Sequence, residues 1–282
     1  MEDQLVRNQQ REQWTAASKG WITRREEVAR PTRPLTERII EMSKVQEGFR
    51  VLDLACGVGD PAFSLAEMVG SPGQVLGLDI SEAMVEGARS WAKEHAVSNV
   101  EFRAVENELK LGVPKESFDL CTCRHGMMFM PNPASALKAL ADATKKGGRI
   151  VFSTWGLAKN SPAFTLPGQI IGKYVQLPPS DTANAPGLFG LPTPGIHELL
   201  FECAGFENVE VYKFDCPVLE AENPEAMWEK ISTMGGPMVK VLRDLEPEVR
   251  EKIREDFIDT LYQQFQEGKV VLSGETLVST GT

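Results

Sequence analysis

The chain has 282 residues, of which 42% are hydrophobic and 25% are charged, so its composition is that of a folded globular protein and excludes a disordered one. Thirty basic and forty acidic residues give a net charge of −10, which argues against nucleic acid as a partner, because a phosphate-binding surface is basic. No apolar run reaches the roughly 18 residues of a membrane span, and the polar N-terminus has no signal-peptide core. Five cysteines without paired spacing favour reduced thiols, so we expect a cytoplasmic protein.

Predicted helices and strands alternate along the chain. Residues 1–45 are predicted to be helical, and Pro31 and Pro34 divide them into at least two helices. Asp60 and Pro61 predict the N-cap and the first position of a helix that runs to Val69. The other predicted helices are one capped by Ser81, 134–145, 196–204 and a block at 224–267. The predicted strands are 49–54, 73–79, 100–104, 118–123, 149–154, 208–214 and one that begins at Val270.

This alternation predicts a fold class. Strands that alternate with helices of about 10–15 residues pair in parallel through right-handed crossovers. We therefore predict an α/β fold with a doubly wound, Rossmann-like, mostly parallel seven-stranded sheet. Within one domain we expect an N-terminal helical cap at 1–46, a core at 47–218 and 268–282, and a helical insertion at 219–267. The insertion is either a lid or a set of core-covering helices, and 161–194, rich in proline and glycine, predicts a loop-rich segment.

A glycine turn follows the first predicted strand. Residues 57–62 read GVGDPA and match the G-x-G-x-x-A dinucleotide fingerprint, and Asp79 follows Gly59 by 20 residues, as that fingerprint requires. Ligands of doubly wound sheets bind beyond the carboxyl ends of the strands, so this turn is the predicted cofactor site. The fingerprint alone does not separate a nicotinamide dinucleotide from S-adenosylmethionine, because both cofactor classes share it.

The acidic side chains around the turn indicate which of these two cofactors the site would bind. Asp53 lies near the end of the first strand and Asp60 follows the glycines. Two carboxylates would repel a diphosphate, which binds backbone N–H groups at a helix N-terminus. They suit the ammonium group of S-adenosylmethionine, and Asp79 lies where an acidic group holds ribose hydroxyls. Gly57 and Gly59 let the backbone approach a ligand closely, so the sequence favours S-adenosylmethionine as the cofactor.

Residues 51–59 (VLDLACGVG), 77–84 (GLDISEAM), 117–120 (SFDL) and 146–149 (KGGR) form a recognisable series. They resemble the motifs of class I S-adenosylmethionine-dependent methyltransferases of the UbiE-like group, the ubiquinone/menaquinone C-methyltransferases and their relatives. The resemblance covers about residues 47–217. It implies the fold and the cofactor but leaves the acceptor open, because the superfamily methylates carbon, oxygen, nitrogen and sulfur.

The resemblance also implies which residues hold the cofactor. These residues are Asp53, Ala55, Gly57, Gly59, Asp79, Ile80, Met84, Glu106 and Asn107. The first three would contact the methionine part, and Asp79 would hold both ribose hydroxyls, with Ile80 and Met84 flanking the adenine. Glu106 would meet the adenine amino group, although it is one residue out of the family's register. Ala55 replaces a usual glycine, and its small Cβ is expected to fit.

The segment after the fourth strand would face the transferred methyl group. His125 is the candidate general base, with a pKa expected near the working pH, and its alternative is a histidine hydrogen-bonded to a neighbouring loop. Arg124 would orient an anionic acceptor or pair with a carboxylate at a strand end. Residues 127–130, Met-Met-Phe-Met, form either an apolar pocket wall or core. Trp14 and Trp21 either close over the cofactor or are packing residues.

Cys121 and Cys123 alternate on the fourth strand and are expected to be buried structural cysteines, because C-x-C lacks zinc-type spacing; we expect no metal. His95 and His197 are expected at the surface. The leading hypothesis is a methyltransferase that acts by in-line displacement on a small or medium, fairly apolar acceptor at carbon, oxygen or sulfur. The alternatives are a nicotinamide-dependent oxidoreductase and a protein that binds the cofactor without methylating, as a cyclase or regulatory subunit. The oligomeric state stays open, and a homodimer is one expectation.

Overall fold

The computed structural model describes residues 2–177, 186–233, 241–265 and 268–282. Its strands are β1 (Arg50–Leu54), β2 (Gln74–Asp79), β3 (Val100–Ala104), β4 (Phe118–Arg124), β5 (Thr144–Trp155), β6 (Glu210–Ala221) and β7 (Val270–Gly281). They form one sheet in the order β3-β2-β1-β4-β5-β7-β6. Strands β1 to β5 pair in parallel, and β7 pairs antiparallel with β5 and β6. The predicted doubly wound, mostly parallel sheet is confirmed.

The strand order reverses between β1 and β4, which are neighbours although β2 and β3 lie between them in sequence. A crevice opens beyond the carboxyl ends of the strands at such a switch point. Asp53 of β1 is paired there with Gly77 on β2 and with Thr122 on β4. The residues that follow β1, β2 and β4 are therefore placed side by side at one edge of the sheet.

The helices are α1 (Glu2–Thr23), α2 (Arg25–Ala29), α3 (Arg33–Ser43), α4 (Ala62–Val69), α5 (Glu82–Glu94), α6 (Pro133–Ala143), α7 (Pro162–Ile171), α8 (Pro194–Cys203), α9 (Pro224–Thr233) and α10 (Pro247–Gln264). The predicted cap of α5 is confirmed, because Ser81 Oγ accepts a hydrogen bond from Met84 N at 3.4 Å. The predicted cap of α4 is wrong. Pro61 takes the N-cap position, and the Asp60 carboxylate turns away to an ion pair with Arg124, a stronger interaction than a helix cap.

The N-terminal helices differ in how they attach to the rest of the chain. Helix α3 buries Leu35 and Ile39 and packs against β5 and β7, as an amphipathic helix does. Helix α1 lies against α5, and its two buried residues, Arg7 and Ser18, are polar. Helix α1 is therefore attached by buried polar contacts and by partly exposed apolar ones, such as Ile22 beside Gly87 of α5.

The main core lies on both faces of the sheet. Its largest fully buried side chains include Leu35, Leu52, Leu78, Leu120, Phe152 and Phe201. A second hydrophobic cluster joins α7, α9 and α10 to the ends of β6 and β7. Phe164 and Val218 pack against both clusters.

The late helical block therefore has a core of its own. The expectation of a loop-rich segment at 161–194 is wrong at its start, because α7 occupies Pro162–Ile171. Helix α7 forms because its apolar side chains Leu166, Ile170 and Ile171 are buried against this second cluster. Residues 178–185 of that segment lie outside the described residues.

None of the helices in the described segments combines the length and the apolar character that crossing a bilayer requires.

Candidate active site

Asp53 lies near the carboxyl end of β1 and is fully buried. Its Oδ1 accepts a hydrogen bond from Thr122 Oγ1 at 2.7 Å, and its Oδ2 is buried with no hydrogen-bond partner in the described part of the chain. Burial raises the pKa of Asp53 to about 7. An unpartnered buried carboxylate oxygen is costly, so this atom is a ready acceptor for a ligand's hydrogen-bond donor. Asp53 is not a solvated strand-end residue.

The glycine turn has left-handed backbone at three positions, with φ of 59° at Ala55, 52° at Gly57 and 104° at Gly59. A Cβ added at Gly57 would have no atom within 4 Å, whereas one at Gly59 would lie 2.2 Å from the Phe63 ring. Gly57 therefore leaves space for a ligand, and Gly59 is required for packing. The Cβ of Ala55 fits because the residue that faces it, Gly126, has no side chain. A Cβ added at Gly126 would lie 2.4 Å from the Ala55 Cβ.

Asp79 connects the loops that follow β1 and β2. Its Oδ2 accepts a hydrogen bond from Gly57 N and its Oδ1 accepts one from Ser81 N, both at 2.9 Å. The side chain is buried, and this burial raises its pKa. Each carboxylate oxygen keeps a second lone pair, so Asp79 can still accept hydrogen bonds from a ligand's hydroxyl groups. Ile80, half-buried, and Met84, buried, follow at the start of α5.

The loop after β3 differs from the prediction. The Glu106 carboxylate lies at the surface and pairs with Lys110 Nζ at 2.9 Å, so it does not point into the crevice. This i,i+4 geometry brings the two opposite charges together locally. The buried Asn107 side chain caps the turn, because its Oδ1 accepts hydrogen bonds from Leu109 N and Lys110 N. The buried acidic residue of this loop is Glu108, which sequence reasoning missed.

Of the two roles predicted for Arg124, the structure shows pairing with a carboxylate. Its guanidinium forms an ion pair with Asp60 and donates a hydrogen bond to Thr32 Oγ1 at 2.7 Å. The charge of Asp60 is thereby compensated, which corrects the expectation that two free carboxylates flank the turn. The uncompensated acidic groups next to the glycines are Asp53 and Asp79.

His125 has left-handed backbone, with φ of 51°, and its ring lies against Trp155 with centroids 3.9 Å apart. Its Nε2 is buried with no hydrogen-bond partner among the described residues. Burial and the nearby charge of Arg124 lower the pKa of His125 well below its ordinary value. The prediction of a pKa near the working pH is therefore wrong, because a buried imidazolium beside a guanidinium is disfavoured.

Three aromatic side chains extend the ring contact of His125 into a row. Trp155 and Phe164 have centroids 4.8 Å apart, and Phe164 and Phe189 6.1 Å. We call His125, Trp155, Phe164 and Phe189 the aromatic row. It begins at the carboxyl ends of β4 and β5.

The methionine segment is divided between core and crevice. Met127 and Met128 are fully buried core residues, whereas Phe129 and Met130 are partly buried. Trp14 of α1 meets Phe129 edge to face, with centroids 5.2 Å apart. Trp21 packs on Trp14 at 6.3 Å but is largely exposed. Trp14 thus packs against the methionine segment, and Trp21 packs against Trp14.

Among the other thiol and imidazole groups, those of Cys121, Cys123 and His197 are buried. Cys121 and Cys123 are buried free thiols, and the described residues contain no group of three or more His, Cys, Asp or Glu side chains placed to hold a metal ion. The expectation of a surface His197 is wrong. His197 is fully buried, with Nδ1 2.6 Å from Ser279 Oγ and Nε2 3.0 Å from Thr154 Oγ1.

The sheet order, with one antiparallel strand, and the carboxylates around the glycine turn define a class I methyltransferase fold. Residues 45–172 match the family model described as "Methyltransferase domain". This part of the chain is therefore similar to methyltransferase domains, and the similarity supports the predicted cofactor, S-adenosylmethionine. The comparisons do not favour the nicotinamide-dependent oxidoreductase.

The chain is similar to several proteins. Aklanonic acid methyltransferase DauC of Streptomyces sp. (strain C5) is 37% identical over 153 residues, which are 54% of this chain and 64% of that protein. Demethylmenaquinone methyltransferase of Lactococcus lactis is 43% identical over 104 residues, 37% of this chain and 41% of that protein. The chain therefore spans less than two thirds of each relative's length. The solved structure of YcgJ from Bacillus subtilis shares the fold, with a TM-score of 0.56 at 18% identity, over 87% of this chain and 96% of that chain.

The residues present fit S-adenosylmethionine. The unpartnered Asp53 Oδ2 suits an ammonium group, the open space at Gly57 admits a ligand against the backbone, and Asp79 lies at the end of the neighbouring strand. A cationic ligand compensates buried carboxylates, whereas a diphosphate would add negative charge next to them.

Proposed function

We propose that the chain transfers a methyl group from S-adenosylmethionine to a planar, fairly apolar, quinone-like acceptor. The observation that carries the proposal is the buried, unpartnered Asp53 Oδ2 beside the open Gly57 position. Two relatives support the acceptor class, since they are named for aklanonic acid and demethylmenaquinone.

The cofactor roles follow from the site's geometry. When bound, S-adenosylmethionine supplies a methyl group on a positively charged sulfonium. Asp53 Oδ2 would accept a hydrogen bond from its ammonium group, and Asp79 would hold the ribose hydroxyls with its remaining lone pairs. Ile80 and Met84 would flank the adenine. Asn107 would shape the loop after β3, where its Oδ1 accepts a hydrogen bond from Leu109 N.

The acceptor roles belong to the aromatic row and to Arg124. A flat ring system would stack along Trp155 and Phe164, which already pack against each other. His125 Nε2 would hydrogen-bond an oxygen of the acceptor, which gives this buried nitrogen its missing partner. Arg124, from its ion pair with Asp60, would orient an acceptor that binds as an anion, whose negative charge is lost as the methyl group is transferred. In-line transfer would then depend on positioning and on exclusion of water.

The helical block would enclose the acceptor. Arg24 of the N-terminal cap donates a hydrogen bond from NH2 to Thr233 O at the end of α9, at 3.3 Å, so the two covering elements meet. We assign α9 and α10 the role of a lid on the core. We also assign the chain to the cytoplasm, because all five cysteines are free thiols, and a homodimer stays a prediction that light scattering tests.

The experiment is an acceptor panel. The purified chain is incubated with S-adenosylmethionine and with planar hydroxyquinones or saturated alcohols of equal size, and S-adenosylhomocysteine and methylated product are measured by mass spectrometry. We expect both products with a planar acceptor, and slower turnover in a His125→Asn variant that binds the cofactor normally. Cofactor binding without S-adenosylhomocysteine release from any acceptor would instead favour the cyclase or regulatory alternative.

A further inference from the structure

Three arginines of the N-terminal helices reach the loops that would hold the cofactor. Arg25 donates to the turn after β1, Arg11 to the residues after β2 and β3, and Arg7 to the loop after β3. The methyltransferase motifs contain none of these arginines, and none of them touches another in the contacts described. Each loop of the proposed cofactor site therefore has a guanidinium on it.

Arg7 forms the best-shielded of these contacts. Its guanidinium binds the Glu108 carboxylate through two atoms, with Nε 2.9 Å from Oε1 and 3.0 Å from Oε2, and NH2 2.6 Å from Oε1. Both side chains are buried. Removal of one partner from such a pair leaves the other charge buried and uncompensated, so opening of α1 carries a barrier at this point.

Arg11 spans two strand ends. Its Nε donates a hydrogen bond to Ile80 O at 3.4 Å, and its NH2 donates one to Glu106 O. Thr15 Oγ1 lies 3.0 Å from Ser81 Oγ, one turn further along α1. The backbone of the proposed ribose and adenine loops is thereby joined through one helix.

Arg25 covers the glycine turn. It donates a hydrogen bond to Val58 O, and its guanidinium carbon lies 4.6 Å from the Phe63 ring centroid and 4.3 Å from that of Trp91. Cation–π contacts of this kind restrict a guanidinium to one position. The carbonyl of Val58 is thus held between the two glycines that the cofactor would approach.

Helix α1 combines a covering position with weak apolar attachment. Asp79, Met84 and Asn107 are buried, and α1 lies against α5 and contacts the loops that carry them. Helix α1 therefore lies over loops that the proposed cofactor would contact. The two buried residues of α1 are polar, whereas its apolar contacts, Trp14 with Phe129 and Ile22 beside Gly87 of α5, are only partly buried, so the polar contacts are the buried part of its attachment.

We propose that Arg7, Arg11 and Arg25 are positioning residues that hold the three cofactor loops in their binding arrangement and set the rate at which the cofactor leaves. The proposal rests on the proposed function. It assigns them no contact with the reacting atoms.

The test measures the dissociation rate of S-adenosylhomocysteine by stopped-flow fluorescence, together with hydrogen–deuterium exchange of peptides from residues 2–23. The variants are Arg7→Ala, Glu108→Ala, the double variant, and Arg254→Ala as a matched control, because Arg254 pairs with Glu251 at 2.8 Å on the exposed face of α10. We expect Arg7→Ala and Glu108→Ala each to speed dissociation of S-adenosylhomocysteine about tenfold. The double variant should add little to this effect, because the two residues act as one unit. Exchange should rise within residues 2–23, and Arg254→Ala should change neither quantity.

Each other outcome has a definite meaning. Wild-type dissociation and wild-type exchange in Arg7→Ala would overturn the inference while the proposed function stands. No binding of S-adenosylhomocysteine to the wild-type chain would overturn both. If Arg7→Ala does not fold, Arg11→Ala decides, because it removes contacts to backbone carbonyls without leaving a carboxylate buried and unpaired; an unchanged dissociation rate in that variant contradicts the inference.

Discussion

The two halves of the proposed site differ in the residue types that form them and in how far apart these residues lie in sequence. On the cofactor side, beyond β1 to β3, two buried carboxylates and a glycine turn lie within 27 residues of sequence, from Asp53 to Asp79. On the proposed acceptor side, at the carboxyl ends of β4 and β5, the aromatic row brings together His125, Trp155, Phe164 and Phe189 from four separate segments. The cofactor side is thus specified by local spacing, whereas the acceptor side is specified by tertiary packing.

This difference implies that the two halves can be altered separately. Polar contacts to charged groups dominate the cofactor side, so its variants should change affinity for S-adenosylhomocysteine. Stacked rings dominate the acceptor side, so its variants should change the KM of the acceptor. A variant that changes both quantities equally would contradict this division.

The largest effect is expected for Asp79→Ala. The variant removes a buried charged acceptor and also releases Gly57 N and Ser81 N, which Asp79 holds at 2.9 Å. We expect the Kd of S-adenosylhomocysteine to rise about 100-fold, since each hydrogen bond to a charged group contributes about 1.5–3 kcal/mol. Isothermal titration calorimetry measures it, and an unchanged Kd would remove Asp79 from the site.

The next effect is a pH dependence that comes from Asp53. Burial raises the pKa of its carboxyl to about 7, so the group holds a proton below that pH, whereas an ammonium ligand binds the ionised form. Affinity should therefore rise with pH, and the Kd of S-adenosylhomocysteine should be about tenfold higher at about pH 6 than at about pH 8.

Two variants isolate Asp53 in this experiment. Asp53→Asn should weaken binding and abolish the pH dependence. Thr122→Val should shift the transition to higher pH, because the hydrogen bond from Thr122 lowers the pKa of Asp53. A slope that persists in Asp53→Asn would assign the titration to another group.

On the acceptor side we expect Trp155→Leu to raise the KM of a planar acceptor about tenfold, because the stacking surface is lost, with the Kd of S-adenosylhomocysteine unchanged. Trp228→Leu is the matched control: both tryptophans are 6% exposed, but Trp228 packs on Phe257 in the second cluster. Steady-state kinetics decide, and equal effects of the two substitutions would exclude a specific role for Trp155.

The smallest effects are expected from two alanine substitutions in the glycine turn. Both sites have left-handed backbone, where alanine costs about 1–2 kcal/mol. Gly59→Ala adds a clash with Phe63, so it should lower the melting temperature more, whereas Gly57→Ala fills open space that the cofactor would use. Calorimetry should therefore find the larger loss of stability in Gly59→Ala and the larger loss of affinity in Gly57→Ala. The reverse pattern would contradict the proposed place of the ligand.

Much of the cofactor side could be predicted from the sequence because its signals are local. The spacing of Asp53, Gly57, Gly59 and Asp79 reflects one strand–turn–helix unit and the next strand, and the structure brings these residues together. Glu106 was less predictable, because its ion pair with Lys110 depends on how the loop turns.

The rest depended on contacts that no local pattern encodes. Arg7 and Glu108 are 101 residues apart, and the buried pair has no signal in either segment alone. The ion pair between Arg124 and Asp60 also depends on the folded chain. The lowered pKa of His125 does so as well, because burial and neighbouring charges are set by tertiary structure. The helix at Pro162–Ile171 was hidden by its prolines, and burial against α9 and α10 outweighs their helix-breaking tendency.

The central claim is that buried carboxylates beyond β1 and β2 hold a positively charged nucleoside cofactor. Calorimetric titration of the purified chain with S-adenosylmethionine and, separately, with NADH tests it most directly. We expect saturable binding of S-adenosylmethionine and no heat of binding from NADH. Saturable binding of NADH, with a diphosphate against Gly57 and Gly59 in the solved complex, would contradict the account.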